Sequence, residues 1–248
     1  MRKKFFIVFG AVLVLAVSYL LIINPLIYYR IGRGNLPYLD VSPMYKFNEQ
    51  ADSKPLTYVA MGDSLTYGAG VNNFKESYSY LIAQKLANNN TGVRLLPLAF
   101  PGYKSGDLLG NLLVSAVSAQ PDIVTIMIGV NDIHGRVPIT EFKDNYQKII
   151  TKLKSDPKTK IYLVSIPFIG DSNLMPFPYQ EYFVAQTKEY NEQIKSLAKE
   201  NKVTFIDITT DTLETFEKSG THYSVDRFHP SAEGYKLFAK LIYEHLSK

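Results

Sequence analysis

From residue 56 onward, short apolar runs alternate with longer stretches in which apolar residues recur at helical spacing. The short runs, rich in β-branched and aromatic residues, predict five β-strands, at residues 56–61, 93–100, 122–128, 160–167 and 203–208. The stretches between them predict helices over residues 78–88, 107–119, 140–153 and 182–200, and a last one after Ser231. Strands that alternate with helices predict βαβ units, and therefore an α/β domain built on an open parallel sheet.

The first 31 residues have a different pattern, with neither an amphipathic face nor a strand-like alternation. Three basic residues at positions 2–4 precede an apolar run over residues 5–23, and the run resumes after Pro25. About 20 apolar residues match the hydrocarbon thickness of a bilayer, so this segment predicts one transmembrane helix that anchors the protein. Because the basic residues concentrate at the amino end, the positive-inside rule predicts that the rest of the chain lies outside the cytoplasm.

Two other interpretations of this segment stay open. Ala16-Val17-Ser18 has the small residues of a signal-peptide cleavage site, in which case the chain is secreted after cleavage. The residues after Ser18 stay apolar for several positions, whereas the apolar core of a signal peptide ends before the cut. A buried core helix is the third interpretation, and the flanking charges and lack of amphipathic spacing disfavour it.

Composition and charge divide the chain into three parts. Residues 1–31 form the predicted anchor, residues 32–55, rich in Pro, Gly, Asn and Asp, predict a linker, and residues 56–248 predict the globular domain. Five of the 27 basic residues lie in residues 1–33 with no acidic residue, which leaves 22 basic against 23 acidic residues in the remainder. The domain is therefore nearly neutral, and its composition excludes the basic surface that nucleic-acid binding needs. A chain without cysteine forms no disulfide, thiolate nucleophile or cysteine-based zinc site.

Candidate chemistry lies directly after the predicted strands, where open parallel sheets bind their ligands. After the first strand, Ser64 lies at a strand-to-helix turn, which projects its hydroxyl into the crevice and leaves backbone N–H groups to stabilise an oxyanion. Gly102 follows the second strand and permits a close backbone approach. Asn131 follows the third strand and offers an amide donor.

An acid and an imidazole lie three residues apart near the carboxyl terminus, at Asp226 and His229. In a turn, this spacing lets the carboxylate reach Nδ1 of the histidine. The imidazole is then fixed in the tautomer whose Nε2 accepts a proton from a serine, which makes Ser64 its candidate partner.

These motifs, in this order, resemble the GDSL/SGNH hydrolase family of lipases and acylhydrolases over roughly residues 56–247. The matching residues are Ser64 as nucleophile, Gly102 and Asn131 as the second-block and third-block residues, and His229 with Asp226 as its partner. At the start of the second block the family often has Asn, whereas this chain has Pro97 or Leu98. The resemblance implies a flavodoxin-like three-layer sandwich around a five-stranded parallel sheet, here preceded by one N-terminal transmembrane helix.

The resemblance further implies a serine ester hydrolase at the cell envelope. Ser64, Asp226 and His229 would form the triad, and the oxyanion would be bound by the Ser64 and Gly102 N–H groups and the Asn131 side chain. A membrane tether favours lipid or lysophospholipid esters and O-acetyl groups on cell-surface glycans as substrates, with short acyl esters a third choice. A catalytically idle glycan- or lipid-binding module on the same fold is the alternative function. No cofactor motif and no metal-ligand spacing such as HExxH is present, so neither a cofactor nor a metal is expected.

The segment after the fourth strand, residues 169–182, carries apolar residues around two prolines. It is either an ordinary loop packed on the domain or a wall for an acyl chain. In the second case Met175 and Phe177 are the predicted substrate-binding residues.

Overall fold

A computed structural model describes residues 2–32, 39–51, 53–87, 91–168, 170 and 174–247. Within these residues a six-stranded sheet has the order β1-β3-β2-β4-β5-β6. The strands are β1 (Tyr45–Phe47), β2 (Leu56–Gly62), β3 (Val93–Ala99), β4 (Ile123–Met127), β5 (Lys160–Val164) and β6 (Thr204–Ile206). Strands β2 to β6 pair in parallel, and β1 pairs antiparallel with β3. The predicted α/β class and its parallel sheet are therefore confirmed.

The prediction of five strands is wrong by one, because β1 adds a sixth at the edge of the sheet. This strand lies inside the segment predicted as a linker, residues 32–55. It is only three residues long, and its middle residue Lys46 is exposed, so it leaves no apolar run in the sequence. Aromatic packing holds it in place, since the Tyr45 ring stacks on Phe74 with centroids 4.9 Å apart and Phe47 meets Tyr80 at 4.8 Å.

Ten α-helices are present in the described part of the chain. They are α1 (Arg2–Gly32), α2 (Ser64–Tyr67), α3 (Tyr78–Leu86), α4 (Ser105–Asp107), α5 (Leu113–Ser118), α6 (Val130–His134), α7 (Ile139–Leu153), α8 (Tyr179–Asn201), α9 (Thr209–Lys218) and α10 (Ala232–Leu246). A π-turn at Leu108–Leu112 joins α4 to α5, so the helix predicted over residues 107–119 is present but interrupted. The pattern does not predict α9, because the helix is rich in threonine, which has weak helix propensity.

The helices form two groups, α3 packed with α10 on one side and α5 and α8 packed with α7 on the other. Every residue of β4 is buried, which requires cover on both faces of the sheet. In α7 the residues that face the core recur at helical spacing; they are Phe142, Asn145, Tyr146, Ile149, Ile150 and Leu153. The sheet therefore lies in the middle of three layers, and its carboxyl edge is the side to which the candidate residues belong.

Helix α1 is the long apolar element at the amino end. Its segment Phe6–Ile27 is long and apolar enough to cross a membrane, a property that signal sequences share. Most of its described side chains are exposed, whereas Ile23 and Ile27 are buried against the domain. The hydroxyl of Tyr19 donates a hydrogen bond to the carbonyl of Phe177, at 2.5 Å.

Candidate active site

The turn between β2 and α2 places Ser64 at the carboxyl edge of the sheet. Asp63 is the N-cap of α2, and its Oδ1 accepts a hydrogen bond from the N–H of Leu65 at 3.0 Å. At Gly62 the backbone passes so close to its neighbours that a Cβ would lie 2.4 Å from the carbonyl oxygen of Met127. Only glycine fits there, and the serine that follows two residues later is thereby held at the first turn of the helix.

Ser64, His229 and Asp226 form one continuous hydrogen-bonded chain. The Oγ of Ser64 lies 2.9 Å from Nε2 of His229, and Nδ1 of His229 lies 2.6 Å from Oδ2 of Asp226. All three residues are buried, with 8, 7 and 4% of the surface of Ser64, His229 and Asp226 exposed. The sequence predicts these three residues as a unit, and the structure brings them together across a separation of 165 positions.

The second carboxylate oxygen of Asp226 is held by its own loop. Its Oδ1 accepts hydrogen bonds from the Ser224 hydroxyl at 2.6 Å and from the N–H groups of Phe228 and His229 at 3.0 Å each. Burial alone would raise the pKa of Asp226, but the hydrogen bond and charge of His229 and these further donors outweigh it and hold the pKa below its ordinary value. The carboxylate is therefore ionised at neutral pH, where the imidazole needs a hydrogen-bond acceptor.

Asn131 and Gly102, the other predicted oxyanion donors, follow β4 and β3, the two strands that pair with β2 on either side. Asn131 is half-buried at the start of α6, and its Nδ2 donates to the carbonyl of Tyr103 at 3.0 Å, which links it to the loop that contains Gly102. Gly102 is exposed and has a φ of +85°, a left-handed conformation that favours glycine. Because an amide carries two N–H groups, Asn131 keeps one for another acceptor.

A buried polar network that the sequence pattern does not predict supports this loop. The carboxylate of Asp132 accepts from the N–H of Ser105 at 3.0 Å and from its hydroxyl at 2.6 Å, and Nδ2 of Asn145 donates to the same hydroxyl at 3.1 Å. The network ties the loop after β3 to α6 and α7. Its only sequence signal is an acidic residue directly after Asn131, which by itself also fits an ordinary turn.

Asp63, like Asp132, is a buried acid that the sequence pattern does not predict. Burial raises its pKa to about 7, opposed by the hydrogen bond from Leu65 and reinforced by the charge of Asp132. Burial likewise raises the pKa of Asp132 to about 6, opposed mainly by the hydrogen bonds from Ser105. Among the described residues no hydrogen-bond partner lies within reach of Oδ2 of Asp63. Three acids with contrasting environments therefore lie near Ser64 and His229.

The segment between β5 and α8 contains both predicted substrate-binding residues, of which one is buried and the other is exposed. Met175 is fully buried, and a Cβ on Gly170 would lie 2.3 Å from its Cε. Phe177 is 74% exposed. Nearby, the buried His134 lies 2.5 Å from the hydroxyl of Tyr179 through its Nδ1, and burial lowers the pKa of His134 to about 4. Within the part of the chain that the structure describes, no group of three or more His, Asp or Glu residues could hold a metal ion.

A hydrogen-bonded serine, histidine and aspartate at the carboxyl edge of a parallel sheet is the arrangement found in serine hydrolases. The model of the GDSL-like lipase/acylhydrolase family matches residues 60–237, and the chain belongs to that family. Relatives named as a lipase and as an acetylxylan esterase match as well, so the protein is a carboxylic ester hydrolase.

Two relatives and two solved structures give the extent of the likeness. The spore germination lipase LipC of Bacillus licheniformis is 26% identical over 206 residues, 75% of this chain and 93% of that protein. The acetylxylan esterase of Geobacillus stearothermophilus is 24% identical over 160 residues, 60% of this chain and 70% of that protein. A lipase/acylhydrolase from Enterococcus faecalis (22% identity, 77% of this chain and 95% of that one) superposes with a TM-score of 0.63. A G-D-S-L lipolytic protein from Veillonella parvula (22%, 78 and 99%) superposes with a TM-score of 0.64.

Proposed function

We propose that the chain hydrolyses acyl or acetyl esters through a triad in which Ser64 is the nucleophile, His229 the general base and Asp226 its partner. The observation that carries this proposal is the pair of contacts on the His229 ring, 2.9 Å to Oγ of Ser64 and 2.6 Å to the Asp226 carboxylate. Because Asp226 engages Nδ1, the proton of the neutral ring lies on Nδ1 and Nε2 is free to accept the proton of the serine.

In the first half of the reaction, Oγ of Ser64 bonds to the ester carbonyl carbon as its proton passes to Nε2 of His229. The negative charge then moves to the carbonyl oxygen, where the N–H groups of Ser64 and Gly102 and the amide of Asn131 receive it. The carbon–oxygen bond to the leaving group breaks, and the alkoxide takes the proton from His229. Water, deprotonated by the same imidazole, hydrolyses the acyl-serine and restores the enzyme.

We place this activity at the cell envelope, with α1 as a single-pass anchor and the hydrolase domain outside the cytoplasm. The support is the apolar segment Phe6–Ile27, whose described side chains are mostly exposed, and the basic cluster at positions 2–4. Secretion after cleavage near Ser18 is the competing outcome. A cut near Ser18 would leave Ile23 and Ile27 attached to the secreted domain, because both buried residues lie after that site.

The relatives point to two different substrate classes, since one is named a lipase and another an acetylxylan esterase. An exposed apolar side chain on the segment after β5, Phe177, favours an acyl chain over a bare acetyl group on a sugar. Phe177 is accordingly the residue of the wall after β5 that we propose to contact an acyl chain. Met175, which is buried, supports that wall from behind.

Hydrolysis of p-nitrophenyl acetate, butyrate, octanoate and palmitate by the purified full-length chain in detergent tests this function. We expect hydrolysis that disappears in Ser64→Ala and persists in Ser115→Ala, a matched change at an exposed serine on α5. The chain-length profile separates lipase-like from acetyl-esterase use. Equal background rates from folded wild-type protein and Ser64→Ala on all four esters would favour the idle binding module instead.

A further inference from the structure

The loop of residues 224–229, which we call the triad loop because it contains two triad residues, is closed at its neck by main-chain contacts. The N–H of Ser224 donates to the carbonyl of His229 at 2.8 Å. Immediately outside this hydrogen bond, Tyr223 and Pro230 form an antiparallel bridge. Because these contacts involve only the backbone, they hold residue 224 in place whatever side chain it carries. The hydroxyl of Ser224 is therefore not needed to close the loop.

The Ser224 hydroxyl makes a shorter hydrogen bond to Oδ1 of Asp226 than either of the two backbone donors on that oxygen. It donates at 2.6 Å, whereas the N–H groups of Phe228 and His229 donate at 3.0 Å each. An O–H donor at this distance from a carboxylate makes a strong, charge-assisted hydrogen bond. The two N–H donors are present with any residue except proline at those positions, so the hydroxyl is the donor that depends on residue type.

Hydrogen bonds to Oδ1 also determine where the other carboxylate oxygen points. The carboxylate group is planar, so a donor that holds Oδ1 restricts rotation of the whole group and with it the direction of Oδ2, which lies 2.6 Å from Nδ1 of His229. The backbone of Gly70 packs against the same loop, since a Cβ there would lie 3.0 Å from Cβ of His229 and 3.2 Å from Cβ of Ser224. The loop therefore has little room to move as a unit, and rotation of the carboxylate is the freedom that the hydroxyl removes.

We propose that Ser224 is a positioning residue of the triad, whose hydroxyl holds the Asp226 carboxylate in the orientation that His229 needs. Burial acts to raise the pKa of Asp226, and the hydroxyl is one of the donors, after His229, that lower it instead. A carboxylate stabilised in this way attracts the proton of the imidazolium less strongly, so His229 gives it up more readily to the leaving alkoxide. The inference rests on the proposed triad and adds a fourth residue that acts through Asp226.

The test measures the pH dependence of kcat/KM for p-nitrophenyl butyrate with the full-length chain in detergent. Ser224→Ala removes the hydroxyl, Ser224→Thr keeps it, and Ser224→Cys replaces it with a weaker donor. Ser219→Ala is the matched control, because the Ser219 hydroxyl also contacts a side chain two positions later, that of Thr221 at 2.7 Å, but outside the triad loop. Ser64→Ala shows whether the hydrolysis depends on the nucleophile, and the melting temperature of each variant is measured alongside.

Titratable groups on other elements lie near the triad and contribute to any pH profile. They are His134 on α6, whose pKa burial lowers to about 4, Tyr235 on α10, whose pKa burial raises well above its ordinary value, and Asp63 before α2, whose pKa burial raises to about 7. Of these three, Asp63 alone titrates near neutral pH. None of them is altered in the variants, so the effect of the hydroxyl is the difference between Ser224→Ala and Ser219→Ala.

We expect Ser224→Ala to lower kcat/KM about tenfold at neutral pH, the size expected for loss of one hydrogen bond to a charged group. The half-maximal point of the acid limb should rise by about half a pH unit, because the carboxylate then holds the imidazolium proton more tightly. Ser224→Thr should restore both values. Ser224→Cys should give intermediate values, and it decides the matter if the alanine variant does not fold.

A Ser224→Ala profile that matches that of Ser219→Ala in height and position overturns the positioning role. So does a loss of rate with an unmoved acid limb, since a merely structural role of the hydroxyl would lower the rate in this way. If hydrolysis is absent from the folded wild-type chain, or persists in Ser64→Ala, the proposed function fails and this inference with it.

Discussion

At the residue scale, the site combines acids in opposite electrostatic states. Asp226 receives hydrogen bonds from His229, Ser224 and the backbone, and its pKa is held low although burial acts to raise it. Asp63 and Asp132 have pKa values raised to about 7 and about 6, in both cases chiefly by burial. The ionised acid is the one that contacts the imidazole, which is the arrangement that base catalysis needs.

The raised pKa of Asp63 makes folding stability depend on pH. Below about pH 4 both states of the chain hold the proton, and between about pH 4 and 7 only the folded state holds it. Stability therefore falls as the pH rises through this window, by about 1.4 kcal/mol for each pH unit, and levels off above it. Asn caps a helix as well as Asp and does not ionise, so Asp63→Asn should raise the melting temperature more at pH 8 than at pH 4.5.

Thermal unfolding at both pH values measures this effect. Asp144→Asn, at an exposed position on α7, is the control and should give the same small offset at each pH. An offset for Asp63→Asn that does not change with pH would contradict the assignment of the proton to Asp63.

Asn131→Ala should lower kcat by about 10²–10³, because loss of one oxyanion donor usually costs that much, and should leave KM within a few-fold. The hydrogen bond to Tyr103 gives the side chain a structural role too, so the melting temperature is measured alongside the kinetics. Asn111→Ala, at an exposed position on the connection between β3 and β4, is the matched control. Full activity in Asn131→Ala would remove this residue from the oxyanion site.

The sequence predicts Ser64, Asp226 and His229 because each is marked by neighbours in the chain, a turn after a strand or a fixed spacing of three. Asp132 with Ser105, and the burial of Asp63, are not predictable in this way. Asp132 and Ser105 lie 27 positions apart, and the burial of Asp63 depends on which elements cover the turn. A single sequence contains no signal for either.

At the element scale, the turn between β2 and α2 is packed so closely that only glycine fits at position 62. A Cβ on Gly62 would lie 2.1 Å from Oγ1 of Thr66 and 2.4 Å from the carbonyl oxygen of Met127, and the latter is backbone that has little room to move. The turn can hold Ser64 at the strand end only because β2 and β4 approach this closely.

Gly62→Ala should therefore lower the free energy of unfolding by about 3 kcal/mol or more, at the upper end of overpacking effects. Gly110→Ala is the control, because a Cβ there meets nothing within 4 Å and alanine favours a helical conformation by up to about 1 kcal/mol. Urea denaturation compares the two variants. Wild-type stability in Gly62→Ala would contradict the geometry of this turn.

The parallel strands and the long helices could be predicted because their apolar patterns extend over five or more residues. Strand β1 could not, since Tyr45 and Phe47 become a strand only through their packing on Phe74 and Tyr80. Helix α2 is a single turn defined by its cap, so it leaves no periodic pattern either.

At the scale of the whole molecule, helix α1 and the domain share an interface, and the orientation of α1 decides which esters the site meets. The chain has no cysteine, so single introduced cysteines report the topology without background. In wall-stripped cells that express the full-length protein, a membrane-impermeant maleimide should label Ser115→Cys before lysis and Lys3→Cys only after lysis. Labelling of Ser115→Cys only after lysis would contradict an extracytoplasmic domain, and loss of Lys3→Cys from the mature protein would indicate cleavage.

The central claim is that Ser64 is a nucleophile activated by His229, and covalent labelling tests it most directly. The folded full-length chain is treated with a fluorophosphonate, and the modified peptide is identified by mass spectrometry. We predict one adduct on Ser64, absent in Ser64→Ala, strongly reduced in His229→Ala and unchanged in Ser115→Ala. A folded wild-type chain that does not react, or an adduct that persists in Ser64→Ala, would contradict the proposed mechanism.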